Sequence, residues 1–123
     1  TLVSSHLNLA SRREFESEVN IMFKMSHPHV LRIFGACVDS SQPLCIAEEF
    51  AERGSLFAVL HDESISLEWS QKWREAKQAT MGLNYLHNCN PVILHRDIKS
   101  LSFLVDKDWN VKISGEHPWL FPF

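Results

Sequence analysis

Five consecutive residues, His95-Arg96-Asp97-Ile98-Lys99, place four ionisable groups directly after an apolar run. Such a cluster is either a solvated charged loop or a catalytic one. In the second case Asp97 accepts a proton from a hydroxyl, and Lys99 neutralises charge developing on a phosphate. A further carboxylate, Glu18, lies three residues after Phe15 and four before Met22, at the border of an apolar helical stripe. Facing inward it needs a cation or hydrogen bonds; at the stripe's edge it reaches water and needs neither. His27-Pro28-His29 and His87-Asn88-Cys89 each offer two soft ligands, but neither spacing matches a zinc pattern, so ordinary loop and core residues are expected and no intact metal site. Cys37, Cys45 and Cys89 are an odd number without C-x-x-C spacing. They read as buried free thiols of a reducing compartment rather than a disulfide framework.

The elements that must position these groups follow from periodicity. Phe15, Val19, Met22 and Phe23 keep a helical period over 12–25, with Ser11 and Glu14 spaced as a capping box and His27-Pro28 ending the helix. Leu31–Cys37 and Leu44–Glu48 read as two strands joined by a polar turn, and Ser55–His61 as a short helix with Ser55 near its start. The longest helix is expected from Glu68 to His87, with Trp69, Trp73, Ala76, Thr80, Leu83 and Leu86/His87 on one stripe and Asn88–Pro91 stopping it. Val92–Leu94 and Ser102–Val105 read as short strands, and Asp106–Asn110 turns the chain into Val111–Ser114. Helices followed by small antiparallel elements give an α+β class.

Composition narrows the options. The 123 residues suit one domain or a piece of one, and a chain opening on Thr1 is expected to be a fragment or a processed form. Twelve Lys and Arg against fifteen Asp and Glu leave −3, so no basic field for nucleic acid is present. No apolar run approaches the ~18 residues of a membrane span, and with no charged-then-apolar pattern at Thr1 onward none of these residues is expected to be a leader. The four glycines, Gly35, Gly54, Gly82 and Gly115, are too scattered for a phosphate-cradling loop.

Tyr85-Leu86-His87 followed by Ile93-Leu94-His95-Arg96-Asp97-Ile98-Lys99-Ser100 resembles the catalytic-loop region of eukaryotic protein kinases. Upstream, Phe15-x-x-Glu18-Val19 with His27-Pro28-His29-Val30-Leu31 resembles the C-helix and the strand after it. Cys45-Ile46-Ala47-Glu48-Glu49-Phe50 with Gly54-Ser55-Leu56 resembles the fifth strand, hinge and D-helix. Lys99 two residues after Asp97, together with the HRDIKS, FGACVD and EEFAERGSL segments, is most similar to the tyrosine-kinase-like group of serine/threonine kinases.

The resemblance implies a partial protein-kinase-like fold: C-helix, fourth and fifth strands, D- and E-helices, catalytic loop and following hairpin. It implies 11–50 as the N-lobe remainder and hinge, 51–114 as the start of the C-lobe, and 115–123 as an apolar tail foreign to the family. By the same resemblance Asp97 is the catalytic base, Lys99 the charge stabiliser, and Arg96 the partner of an activation-loop phosphate. Glu48 (the gatekeeper), Glu49, Ala51 and Leu104 line the ATP and hinge site, Glu18 is the C-helix ion-pair residue, and His95, Met22 and Ile33 are structural. ATP and Mg²⁺ are the implied cofactors, a protein hydroxyl the substrate, and the cytoplasm (or the cytoplasmic side of an anchored parent) the setting.

Three departures accompany the resemblance. Residues 1–7 hold no Lys where the third strand's Lys is expected, and Ser5 lies near that place. Ser102 stands where the family has a metal-binding Asn, a shorter and weaker ligand arm. Val111-Lys112-Ile113-Ser114 leads into Gly115-Glu116-His117 instead of Asp-Phe-Gly, removing the principal metal-binding Asp and putting Glu116 where a Phe would pack on His95 and Met22. Abrupt loss of resemblance at both ends favours a truncated or mis-spliced sequence, whereas Ser102 favours decay toward a pseudokinase. Nucleotide and metal binding by the chain itself are expected to be weak or absent. Catalysis is therefore expected of the parent, with a non-catalytic binding module as the alternative and self-association through exposed apolar helix faces as a risk.

Overall fold

A computed structural model describes residues 9–39, 41–42 and 45–114. The expected strand over residues 1–7, with Ser5, and the departures at 115–123 lie outside the described residues. In chain order the elements are α1 (Leu9–Phe23), β1 (Ile33–Cys37), β2 (Cys45–Glu48), α2 (Leu56–His61), α3 (Trp69–His87), a 3₁₀ turn (Ser100–Ser102), β3 (Phe103–Val105) and β4 (Val111–Ile113). Helices with two antiparallel ladders make the chain α+β. The described residues fall into two units, one of 9–26 with 32–49, the other of 27–31 with 50–114.

In the first unit α1 packs on the β1–β2 hairpin, burying Val19, Met25 and Ile33. The ladder pairs Ile33 with Glu48, Gly35 with Ala47, Ala36 with Ile46 and Cys37 with Cys45, slipping by one residue at Phe34. At the turn, Asp39 Oδ1 accepts from both the backbone N–H and the hydroxyl of Ser41, each at 2.8 Å. These bonds hold the Asp39 carboxyl below its usual range. Arg12 on α1 donates to the Asp39 carbonyl at 2.9 Å, tying the helix to the turn.

The second unit centres on the β3–β4 hairpin, whose Val105, Val111 and Ile113 are fully buried with Leu86 of α3. Two flanking segments extend this small sheet. Val105 donates to the Gly54 carbonyl at 2.8 Å and Arg53 to the Val105 carbonyl at 3.0 Å on one side. On the other, Ile113 donates to the His29 carbonyl and Leu31 to that of Ile113, both at 2.9 Å. His29 Nδ1 donates to the Val111 carbonyl at 2.9 Å, and His27 stacks on Tyr85 with ring centres 4.9 Å apart. The α3 helix closes against this layer at Gly82, where a Cβ would stand 2.4 Å from the His29 carbonyl oxygen. Only glycine allows that approach. Gln78, one turn earlier, accepts from the Val111 N–H at 2.9 Å.

Five local expectations change. The α1 helix includes Ser11, so the capping box there is not at the helix start. The inward face of α3 is Glu75, Gly82 and Leu86, while Trp69 and Trp73, edge to face, are 71% and 63% exposed. Val92–Leu94 joins no ladder, because the Ile93 N–H bonds back to the Leu86 carbonyl at 3.0 Å. Ser102 lies in a 3₁₀ turn because its N–H reaches the Lys99 carbonyl at 2.9 Å, and the strand begins one residue later. The three thiols are half-buried rather than buried.

Glu75 is only 2% exposed, and its Oε1 has no hydrogen-bond partner among the described residues. Burial pushes its carboxyl above the usual range, with Arg74 and Lys72 opposing weakly. A group that binds its proton more tightly folded than unfolded contributes less stability as pH rises through and above the normal carboxylate range. Glu75→Leu should therefore stabilise the protein by about 1–3 kcal/mol at pH 7, and by less at pH 5. Urea unfolding at both pH values checks this, and a loss of stability at pH 7 would contradict it.

Candidate functional site

The charged loop starts where α3 stops. Asn88 caps that helix, its N–H bonding back to the Asn84 carbonyl, and the Ile93 bond to Leu86 returns the chain along the helix end. His95 follows, buried and held at both ring nitrogens. Its Nδ1 accepts from the Asp97 N–H at 3.3 Å, so Nε2 carries the proton and donates to the Ser114 carbonyl at 2.8 Å. Between them Arg96 takes φ 61°, a left-handed conformation costing roughly 1–3 kcal/mol in a non-glycine residue. That turn separates a buried His95 from an Asp97 whose side chain is 67% exposed.

Lys99 Nζ lies 2.8 Å from Asp97 Oδ2. So exposed a pair contributes at most ~1 kcal/mol to stability. Its chemistry matters more: a carboxylate open to a hydroxyl donor, with a cation beside it, can take up a proton while the cation offsets new negative charge. Ser102, 8% exposed, donates its hydroxyl to the Asp97 carbonyl at 2.6 Å. The Ser114 N–H bonds to the Ser102 carbonyl at 2.8 Å, closing the loop onto the end of β4. A divalent cation needs several converging oxygen ligands. Ser102 is buried and turned onto the backbone, and no three His, Cys, Asp or Glu side chains converge among the described residues. This donor set does not fit Mg²⁺.

The second unit thus brings His95, Arg96, Asp97, Lys99 and Ser102 together. It also carries Leu104, bridged antiparallel to Ser55, and Ala51, whose carbonyl accepts from Gly54 at 3.1 Å where Gly54 adopts φ 73°. The first unit carries Glu18, Met22, Ile33, Glu48 and Glu49. Glu18 is half-buried, and burial followed by repulsion from Glu14 raises its carboxyl. No cation among the described residues reaches it. Desolvation also raises Glu48. Glu49 is fixed to Arg32 twice, its N–H on the Arg32 carbonyl at 2.8 Å and its Oε2 accepting the Arg32 N–H at 2.9 Å.

The roles of Ser114 and Arg53 escaped the sequence reading. Ser114 acts through its backbone, which residue type does not reveal. Arg53 could have been found only from the Arg-aromatic pairing it makes, its guanidinium 3.9 Å over the Trp109 ring.

A family model described as protein tyrosine and serine/threonine kinase matches residues 2–116. The chain is 41% identical over 113 residues to the probable serine/threonine-protein kinase drkA of Dictyostelium discoideum, covering 92% of this chain and 17% of that protein. It is 42% identical over 113 residues to drkB of the same organism, covering 92% and 16%. To the probable serine/threonine-protein kinase SIS8 of Arabidopsis thaliana it is 47% identical over 100 residues, covering 81% and 10%. The chain spans less than a fifth of the length of these relatives.

Ser102→Ala removes the hydroxyl bond to the Asp97 carbonyl. The expected outcome is a stability loss of about 1 kcal/mol with faster amide exchange over 96–99. Unchanged exchange there would show that the hydroxyl does not hold the loop.

Proposed function

Because the chain belongs to the protein tyrosine and serine/threonine kinase family, we propose that it is the catalytic-loop segment of a serine/threonine kinase that phosphorylates protein hydroxyls from ATP. The observation that supports this most directly is the exposed Asp97–Lys99 pair on a loop fixed by buried His95. In this reading the substrate hydroxyl oxygen attacks the γ-phosphorus and ADP departs. Asp97 takes the hydroxyl proton, and Lys99 offsets charge on the transferring group. Arg96 is the site for an activation-loop phosphate, and Glu48, Glu49, Ala51 and Leu104 are the adenine-side positions. Residues 11–50 are the N-lobe remainder and 51–114 the start of the C-lobe, in a cytoplasmic protein. No step is assigned to Mg²⁺, which Ser102 does not fit.

That misfit supports a second reading, a non-catalytic binding module. Either way the 123 residues alone are expected to be inactive, and Trp69 and Trp73 offer a face for self-association.

Expressed with its flanking coding sequence, the protein should phosphorylate serine or threonine in a general protein substrate, and Asp97→Asn should lower the rate at least ~10²-fold. Absence of transfer in both forms would favour the binding module. For the 123-residue chain, millimolar Mg-ADP should raise unfolding stability by less than ~1 kcal/mol. A larger shift in thermal melting would show that nucleotide recognition survives without the phosphate loop.

A further inference from the structure

We propose that Cys37 and Cys45 are a redox modification site, closing to a reversible intrachain disulfide when the protein meets a hydroperoxide. The two residues are Cα partners in the β1–β2 ladder, the last recorded pair before the turn, and both thiols are free and half-buried. Direct partners in an antiparallel ladder project from the same face with Cβ atoms about 4.5–5.5 Å apart. A disulfide needs Cα atoms about 4.4–6.8 Å apart and Cβ atoms about 3.5–4.5 Å apart. Antiparallel partners satisfy the first range at about 4.5–5.5 Å, and a local approach of the two strands by about an ångström satisfies the second. Odd cysteine count and spacing concealed the pair, because neither reports strand register.

The chemistry balances with the peroxide as oxidant. One thiolate attacks a peroxide oxygen, the O–O bond breaks, and the departing hydroxide takes up a proton as water, leaving a sulfenic acid. The facing thiolate attacks that sulfur, the S–O bond breaks, and a second water leaves as the S–S bond forms. Two electrons pass from the two sulfurs to the peroxide. A dithiol reductant reverses the product by exchange.

Cys89 is the internal control. Its thiol donates to the Tyr85 carbonyl at 3.3 Å in the other unit. Burial pushes it above the usual thiol range, so its reactive thiolate is scarcer.

The 123-residue chain is treated with stoichiometric hydrogen peroxide under non-denaturing conditions, then alkylated and digested. The expected product is a monomer lighter by about 2 Da, with one crosslinked peptide joining Cys37 to Cys45, alkylated Cys89, and full return with dithiothreitol. Cys37→Ser should abolish the crosslink and leave Cys45 as a trappable sulfenic acid. The unmodified chain carries the test even if that variant folds poorly. Prior oxidation of Cys89, chain-to-chain dimers, unpaired sulfinic acids, or no reaction at Cys37 and Cys45 would each overturn the proposal.

Discussion

A neutral imidazole held between two backbone groups fixes the charged loop. With Nδ1 of His95 accepting from Asp97 and Nε2 donating to Ser114, the ring orientation sets where the loop leaves the core and where it returns. Everything else follows from keeping both partners in place. Ser114 is positioned by the β3–β4 register, and that register by bonds from Gly54 on one edge and His29 on the other. The left-handed Arg96 is tolerated because the anchored residues on either side leave the chain no relaxed alternative. The exposed Asp97–Lys99 pair is therefore a product of buried backbone bonding rather than of its own weak attraction.

The carboxyl groups divide by location. On turns, Ser41 donors hold Asp39 low and Ser64 donors do the same for Asp62. Asp106 is desolvated, yet Asn110 and Asp108 donors still leave it below its usual range. Glu18, Glu48 and Glu75 move the other way, chiefly through burial. The turn carboxylates favour the folded state once deprotonated, while the three desolvated glutamates favour it while protonated. The fold thus carries opposing dependences on acidity, the turn aspartates on one side and these glutamates, of which only Glu75 is fully buried, on the other.

Much of this was legible in the sequence because local rules and tertiary packing agree. Ser55 caps α2 by accepting from the Ala58 N–H, and helices form over 9–23 and 69–87, close to where the periodicity puts them. The HRDIK cluster stands out by charge alone. What could not be read is which face of α3 turns inward. Hydropathy selects Trp69 and Trp73, whereas packing selects Gly82 for closeness to a carbonyl and accepts Glu75 beside it. Ser102 was likewise readable as a weakened ligand arm, but not as the hydroxyl holding the Asp97 carbonyl, since that role depends on a turn set by Lys99.

The bonding of the second unit is non-local. His29 meets Val111 across 82 positions, and Arg53 meets Lys107 across 54. Contacts so distant in sequence close late, after the entropy of a long loop has been lost. Emerging from a ribosome, α3 is complete well before β4 exists to cover Gly82 and Leu86, so its inner face waits uncovered while some 25 further residues are made. The same face carries Glu75, whose carboxylate, ionised while still in water, keeps the uncovered helix hydrated over that interval and becomes a cost only once it is buried.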